Sequence, residues 1–344
     1  MAAVAGVVGI AIVALMLLPL AAGNDAPDAD GLLYLALGDS IPSGNAFPDD
    51  ETRPCQRNVD SYAWMVGQRL GAESAPEEFE FRHIACSGAR VAVDKQRVID
   101  RCLDSLDSDA SDKQVGDCQL KWLPNQVDEA LEHLDGRSVL VTITVGANDT
   151  GWTDPLGLID LMMAPDDEFR ASIDDVAEQV EESLAAQVSR LVAEPDVTVI
   201  LTDIYNPFNR ESQLFDLARM AQASAWGMGN LGDDPCTGTD RDGVVHELSC
   251  AERAEYGLQA LSGAIQRVAA EDPERTAFVT LLGPFRGHES TGGLCGDAEP
   301  ASGESWIRNN VGGGLIPLPD CFHPNTAGAE AIAELIVDAW NRRQ

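Results

Sequence analysis

Four short motifs hold the side chains of this chain that are best suited to nucleophilic chemistry. They are Gly38-Asp39-Ser40, Cys86-Ser87-Gly88, Gly146-Ala147-Asn148-Asp149 and Asp320-Cys321-Phe322-His323. A serine hydroxyl is a weak nucleophile and needs an adjacent base, which His323 can supply. Asp320 precedes His323 by three residues and can hold the second ring nitrogen of the histidine and stabilise the imidazolium. Ser40, Asp320 and His323 are therefore the candidate catalytic residues.

Attack by a serine creates an oxyanion, which needs hydrogen-bond donors. The backbone N–H groups of Ser40 and Gly88 and the side-chain amide of Asn148 are suitable donors. Glycine at position 88 lets the backbone approach a ligand closely, and a carboxamide donates without carrying a charge. These three residues form the predicted oxyanion hole.

Each motif also has a plainer explanation when taken alone. Gly88 fits an ordinary turn, and Asp320 with His323 fits the cap of a helix. Asn148-Asp149-Thr150 is also a glycosylation sequon. His288 is a rival base. The occurrence of all four motifs in order, each after a predicted strand or before the last helix, favours catalysis.

Five apolar or alternating runs predict strands, and five amphipathic runs predict helices between them. The predicted strands are Leu32–Leu37, Glu78–His83, Ser138–Val145, Val197–Ile204 and Ala277–Leu282. The predicted helices are Ser61–Leu70, Pro124–Leu134, Glu168–Ala193, Ala251–Ala270 and Thr326–Arg343. Such alternation predicts an α/β fold, a parallel sheet covered by helices on both faces. The four motifs then gather at the carboxyl edge of that sheet, where α/β proteins bind ligands.

At these motifs the chain resembles the SGNH (GDSL) hydrolases, through Ser40 in GDS, Gly88, Asn148 in GAND and His323 in DCFHP. Cys55 after the serine motif and the segment Cys86-Ser87-Gly88-Ala89 resemble the secreted, disulfide-rich actinobacterial-type esterases and lipases. The resemblance implies a three-layer α/β/α sandwich of flavodoxin-like type with a five-stranded parallel sheet. It also implies serine ester hydrolysis without a metal or cofactor. Ala147 departs mildly from the family pattern, which usually has glycine there.

The N-terminal segment sets the expected compartment. Residues 2–22 carry no charge and are long enough to cross a bilayer as a helix. The small residues Ala21-Ala22-Gly23 that follow are typical of a secretory cleavage site. No Lys or Arg precedes the apolar run, so an uncleaved membrane tether is the alternative. We expect residues 1–30 to be this leader or anchor, and residues 31–344 to be an extracellular or surface-anchored hydrolase domain.

The chain has eight cysteines and no C-x-x-C pair, which gives no support to a zinc ribbon or a thioredoxin-type site. In an exported protein the default state of cysteine is the disulfide. Pairing of sequence neighbours is the simplest arrangement, although the sequence leaves other pairings open. The pairs expected on that basis are Cys55–Cys86, Cys102–Cys118, Cys236–Cys250 and Cys295–Cys321.

The composition is strongly acidic, with 57 Asp and Glu against 23 Lys and Arg and a net charge of −34. Such a surface repels phosphates, which excludes nucleic acid as a partner. An acidic, lysine-poor surface is typical of proteins of salty surroundings, and an ordinary acidic secreted protein fits equally well. Two acidic segments, Asp100–Cys118 and Asn230–Cys250, are predicted to be surface loops stapled by disulfides.

The segment Trp152–Met163 is apolar and lines an acyl pocket in one interpretation, or begins a core helix in the other. An apolar wall favours a small-molecule or lipid ester as substrate, and thus a carboxylesterase or lipase. A carbohydrate-ester deacetylase of the same fold is one alternative. An inactive surface binding module is the other, and the intact Ser40, Asn148, Asp320 and His323 argue against it. The sequence makes no prediction of oligomeric state.

Overall fold

A computed structural model gives the structure of most of the chain. It describes residues 31–44, 54–75, 78–92, 95–151, 161–207, 236–239, 243–288, 306–307 and 323–344. The predicted leader, residues 1–30, lies outside these ranges. So do Asp320 and both cysteines of the predicted Cys295–Cys321 pair.

A five-stranded sheet organises the described residues, and all of its strands run parallel. The seven strands are β1 (Leu32–Gly38), β2 (Phe79–His83), β3 (Ser138–Thr144), β4 (Val197–Thr202), β5 (Gly238–Thr239), β6 (Val245–His246) and β7 (Thr276–Val279). The sheet has the order β2-β1-β3-β4-β7, while β5 and β6 form a separate antiparallel pair. This confirms the predicted α/β fold with its five-stranded parallel sheet.

The central strands are buried because helices cover both faces of the sheet. The helices are α1 (Ser40–Ser43), α2 (Tyr62–Glu73), α3 (Lys95–Asp104), α4 (Asp112–Gln119), α5 (Leu123–Glu132), α6 (Asp166–Val192), α7 (Cys250–Glu271) and α8 (Thr326–Asn341). α2 and α8 pack together on one face, and α5, α6 and α7 cover the other. Continuous apolar runs such as β1 suit strands buried on both sides, and residues 33–38 are all buried.

The fifth strand of the sheet is shorter than predicted. β7 ends at Val279, whereas the apolar run continued to Leu282. The backbone turns away because Asp203, which follows β4, binds the next two residues. Its carboxylate accepts the hydroxyl of Thr280 at 2.8 Å and the N–H of Leu281.

The prediction that Asp100–Cys118 is a loop was wrong, because most of this segment is helical. It covers the end of α3 and most of α4. Ser111 and Gln114 form a reciprocal capping box at the start of α4, which satisfies exposed amide groups of the first turn. The apolar periodicity is weak because α3 buries only Ile99 and Cys102. In the second acidic segment, the short β5–β6 pair lies between Cys236 and Cys250.

Three disulfides hold these elements: Cys55–Cys86, Cys102–Cys118 and Cys236–Cys250. They are three of the four expected pairs, and the fourth lies outside the described residues. Within the described part of the chain, no helix has both the length and the apolar character needed to cross a membrane.

Candidate active site

Ser40 lies at the carboxyl end of β1, at a sharp change of backbone direction. Gly38 has φ +124°, and a β-carbon there would lie 2.0 Å from the carbonyl oxygen of Thr144, so the close approach of β1 to β3 requires glycine. Asp39 donates its N–H to that same oxygen at 3.0 Å. Ser40 then opens the short helix α1. Between residues 33 and 44, Ser40 alone is partly exposed, so solvent and small molecules can reach this residue.

Asp39, which directly precedes Ser40, is fully buried. One carboxyl oxygen accepts the N–H of Ile41 at 3.0 Å. The other oxygen is buried without a hydrogen-bond partner among the described atoms. Burial, with a smaller contribution from the nearby charge of Asp149, raises the pKa of the Asp39 carboxyl to about 7. The start of α1 therefore contains an acid that titrates near neutral pH.

Residues 86–90 form a tight bend, here called the glycine turn, that lies against the end of β1. Gly88 has φ +77°, a left-handed conformation that favours glycine. The N–H of Cys86 donates to the carbonyl oxygen of Gly38 at 2.9 Å. Cys55 also holds the turn. It forms the disulfide with Cys86, and its carbonyl oxygen accepts the N–H of Ser87 at 3.1 Å.

Asn148 joins the glycine turn to the neighbouring strand. It follows β3, which pairs with β1 up to the Gly38–Thr144 partners. Its side-chain nitrogen donates to the carbonyl oxygen of Ala89 at 3.0 Å, and the side chain is buried. This bond orients the amide with its nitrogen toward the turn. The structure thus brings the predicted oxyanion donors Ser40, Gly88 and Asn148 to one edge of the sheet.

Asp149 fixes the other end of the glycine turn. Its carboxylate accepts the N–H of Val91 at 3.1 Å and the N–H of Ala92 at 2.9 Å. The motif around Asn148 therefore holds the turn through the amide and the two residues after the turn through this carboxylate.

His323 lies just before α8 and is buried, with 6% of its surface exposed. The following residues are held in place: Pro324 pairs with Ile307, and Asn325 N–H donates to Trp306 O at 2.9 Å. α8 packs on α2, and α2 contacts α1, the helix that Ser40 opens. Because Asp320 lies outside the described residues, its pairing with His323 stays a prediction.

Two other histidines, His83 and His288, contact neighbouring residues of the fold. His83 donates from Nε2 to Pro42 O at 2.8 Å and so holds α1. Burial, reinforced by the Arg57 charge, lowers its pKa to about 4, which keeps the ring neutral at pH 7. His288, the rival base, stacks on Trp306 with 3.8 Å between the ring centroids.

Gln126 is a site residue that sequence reasoning missed. Its amide oxygen accepts Gly38 N–H at 2.7 Å, and its amide nitrogen donates to Gly38 O at 2.9 Å. β2 pairs with β1 only as far as Ala36, so Gln126 satisfies backbone groups that a longer strand would have bonded. The available signal was its spacing, since a glutamine stands on the apolar face of α5 with Leu123 and Val127.

Lys121 is the second residue that the sequence did not reveal. Its ammonium donates to the carbonyl oxygen of Ser87 at 2.6 Å. Burial lowers the pKa of Lys121 to about 8, and the charge of Asp117 opposes that shift. A lysine therefore contacts the glycine turn at the carbonyl of Ser87.

The apolar segment Trp152–Met163 is described only from residue 161 onward. Met162 is buried in a small apolar cluster, here called the second core. The buried members of the second core are Met162, Phe169, Ile173, Cys236 and Cys250. At Met162, the core-helix interpretation is therefore the correct one. Among the described residues, no three histidine, cysteine or acidic side chains gather as metal ligands would.

A family model described as GDSL-like lipase/acylhydrolase matches residues 34–336. Among solved structures, the chain is similar to an extracellular lipase from Streptomyces rimosus, with 20% identity, a TM-score of 0.49, and 90% of this chain and 100% of that chain covered. It is also similar to Axe2, an acetylxylan esterase from Geobacillus stearothermophilus, with 16% identity, a TM-score of 0.41, and 90% and 95% of the two chains covered. At such identities and TM-scores the likeness says nothing of the substrate. No curated protein sequence matches the chain.

Proposed function

Because the chain belongs to the GDSL-like lipase/acylhydrolase family, we propose that it hydrolyses carboxylic esters through a serine nucleophile. One observation carries the proposal. Ser40 is the one partly exposed residue of the otherwise buried stretch 33–44, and it stands beside a glycine turn that Asn148 holds by a hydrogen bond. A reactive hydroxyl next to fixed hydrogen-bond donors is the arrangement that acyl transfer needs.

In the proposed reaction, the Ser40 hydroxyl oxygen attacks the ester carbonyl carbon while His323 takes the hydroxyl proton. The tetrahedral intermediate collapses to an acyl-serine as His323 returns the proton to the leaving alcohol. Water, deprotonated by the same histidine, then attacks the acyl-serine. The second tetrahedral intermediate releases the acid as His323 returns the proton to the Ser40 oxygen. Asp320 holds the second ring nitrogen of His323 throughout and stabilises its charged form.

The negative oxygen of both tetrahedral intermediates accepts hydrogen bonds from the N–H groups of Ser40 and Gly88 and from the side-chain amide of Asn148. Fixed donors are effective because they need no reorganisation when charge develops. The ties on the glycine turn, from Cys86 N–H to Gly38 O and from Asn148 to Ala89 O, support this role.

Export is part of the proposal. Disulfides persist in oxidising compartments, and three are present. We place the enzyme outside the cell, either released or tethered through residues 2–22.

The first test is Ser40→Ala, assayed on p-nitrophenyl esters of rising chain length at low and high salt. We expect a loss of roughly 10⁶-fold in kcat, as for other serine nucleophiles, with an unchanged melting temperature. Ser74→Ala is the matched control, since that serine only caps the end of α2. A folded Ser40→Ala protein with near-normal activity would end the proposal.

The second test addresses the oxyanion hole and the substrate. Asn148→Ala should lower kcat by roughly 10²–10³ with little change in KM; an effect confined to KM would assign Asn148 to substrate binding instead. Activity that rises with acyl length identifies an esterase or lipase. Activity restricted to acetyl esters, and extending to acetylated sugars, identifies the deacetylase alternative. No hydrolysis, together with retained folding, identifies a binding module.

A further inference from the structure

Lys121 binds the peptide group whose other end is a proposed oxyanion donor. The carbonyl of Ser87 and the N–H of Gly88 belong to one peptide unit. The ammonium of Lys121 lies 2.6 Å from that carbonyl oxygen, and a β-carbon placed on Gly88 would lie 3.4 Å from the same nitrogen. The lysine therefore contacts the oxygen side of the unit, and in a trans peptide the N–H of Gly88 points the opposite way.

We propose that Lys121 is a positioning residue that strengthens the Gly88 N–H as a donor to the oxyanion, by holding and polarising the Ser87–Gly88 peptide. The inference rests on the proposed esterase function. Resonance joins the carbonyl and the N–H across the partial double bond. The positive ammonium beside the carbonyl oxygen draws electron density from the peptide nitrogen. Hydrogen bonds that follow one another through a peptide group in this way strengthen each other.

The backbone around Lys121 is fixed well enough to serve this purpose. Its carbonyl oxygen accepts Arg90 N–H at 3.0 Å, and its own N–H donates to Cys118 O at 3.3 Å. Cys118 is tied to α3 through the Cys102–Cys118 disulfide. The acidic segment Asp100–Cys118, which the sequence predicted to be a surface loop, thus supports the lysine that contacts the site.

Lys121 is one of three lysines in the chain, with Lys95 and Lys113. Asp117, on α4, is the carboxylate that acts on its charge, and Arg57 pairs with the same carboxylate at 3.3 Å. The ammonium of Lys95 lies 4.9 Å from the ring centroid of Trp122, the residue that follows Lys121. With a pKa of about 8, Lys121 is charged at neutral pH and loses its proton under mildly alkaline conditions.

The kinetic test uses three substitutions with different charge and donor capacity. Lys121→Met removes both and should lower kcat about 10-fold with KM little changed, a smaller loss than removal of a whole donor. Lys121→Gln, a neutral donor, should be intermediate. Lys121→Arg should keep most of the activity, and it should also lose the fall in kcat above about pH 8, because arginine stays protonated. Lys113→Met, at an exposed position of α4, is the matched control with normal kcat.

A spectroscopic test is independent of turnover, and its main measurement is made on the unmodified protein. Serine labelled at the carbonyl carbon and glycine labelled at nitrogen select the four Ser–Gly peptides, which include Ser87–Gly88. In the unmodified protein, one of these amide protons should move upfield as the pH passes about 8, and Lys121→Arg should abolish that movement. A lysine that only braces the turn would leave the Gly88 N–H signal constant.

The outcomes separate the two proposals. If Ser40→Ala abolishes hydrolysis while Lys121→Met matches the control in kcat, or loses activity only through KM or unfolding, the role of Lys121 is overturned and the esterase stands. If Ser40→Ala leaves hydrolysis intact, the esterase proposal fails. In that case a titrating Gly88 amide still supports polarisation of the peptide by Lys121, and a constant one refutes it.

Discussion

The edge of the sheet around Ser40 and the surroundings of the second core each bury an ionisable group, and they do so in opposite ways. At the edge, Asp39 is fully buried, and among the described residues its carboxyl accepts the N–H of Ile41 and forms no ion pair. Its pKa is raised to about 7. Beside the second core, the fully buried guanidinium of Arg253 lies over the ring of Phe169, pairs with Asp166 and donates to Ala164 O at 2.7 Å. At neutral pH the first arrangement costs stability, whereas in the second the buried charge has an opposite charge as its partner.

The two regions also contain cystine-bridged insertions of similar size. Cys102–Cys118 spans 16 residues and supports the segment that presents Lys121 to the glycine turn. Cys236–Cys250 spans 14 residues and is itself part of the second core. The comparison shows that similar acidic insertions can have different uses, one supporting the candidate site and the other supporting the fold. Burial of imperfectly satisfied groups is commonly found at functional sites.

The largest expected effect is on the second core. Asp166→Ala leaves the Arg253 charge buried without its partner, which typically costs on the order of 3–5 kcal/mol of unfolding free energy. We expect a clear drop in the denaturation midpoint and a nearly normal kcat at a temperature where the variant is folded. Asp167→Ala, at an exposed neighbouring position, is the control. Equal stability of the two variants would show that the Arg253 pair does not stabilise the fold.

A pH-dependent effect of roughly 4 kcal/mol is expected at the sheet edge. The folded-state pKa of Asp39, about 7, lies above its ordinary value of 3.8, so the folded protein binds this proton more tightly than the unfolded chain. The resulting stabilisation is complete below about pH 4 and is lost as the pH rises through 7. Asp39→Asn should therefore gain stability relative to the unmodified protein across that window.

Chemical denaturation at several pH values between 4 and 8 measures this effect. Asp60→Asn, which changes an exposed carboxylate, should run parallel to the unmodified protein. If the Asp39→Asn curve is parallel as well, Asp39 is ionised in the folded state across the whole range.

The smallest expected effect tests the comparison most directly, because it comes from removing two disulfides that close loops of similar length. Cys102→Ser with Cys118→Ser, and Cys236→Ser with Cys250→Ser, each open a loop of similar length and should each cost roughly 3 kcal/mol on the chain-entropy model. Only the first pair should also lower kcat, by up to about 10-fold, since a displacement of about 1 Å is costly at a reacting centre. Equal kcat for the two double variants would remove the distinction between the insertions.

Much of the fold followed from local pattern. The central strands β1, β3 and β4 begin where their apolar runs predicted, because continuous apolar runs bounded by turns suit strands buried on both faces. The helices α3 and α4 were missed because they bury few apolar side chains. A capping box begins α4, and a disulfide joins the two helices; neither feature appears as apolar periodicity. β7 ended early because Asp203, more than 70 residues away in the sequence, captures the backbone that follows it.

The sequence alone determined which groups could react and where they would gather. Motifs after parallel strands meet at one edge of the sheet, so Ser40, Gly88 and Asn148 were predictable from order and chemistry. Only the tertiary structure decided what holds them. Gln126 reaches Gly38 across 88 residues, and Lys121 reaches Ser87 across 34. No local pattern encodes such contacts, since a polar side chain finds its partner only after the helices have packed against the sheet and removed the competing water.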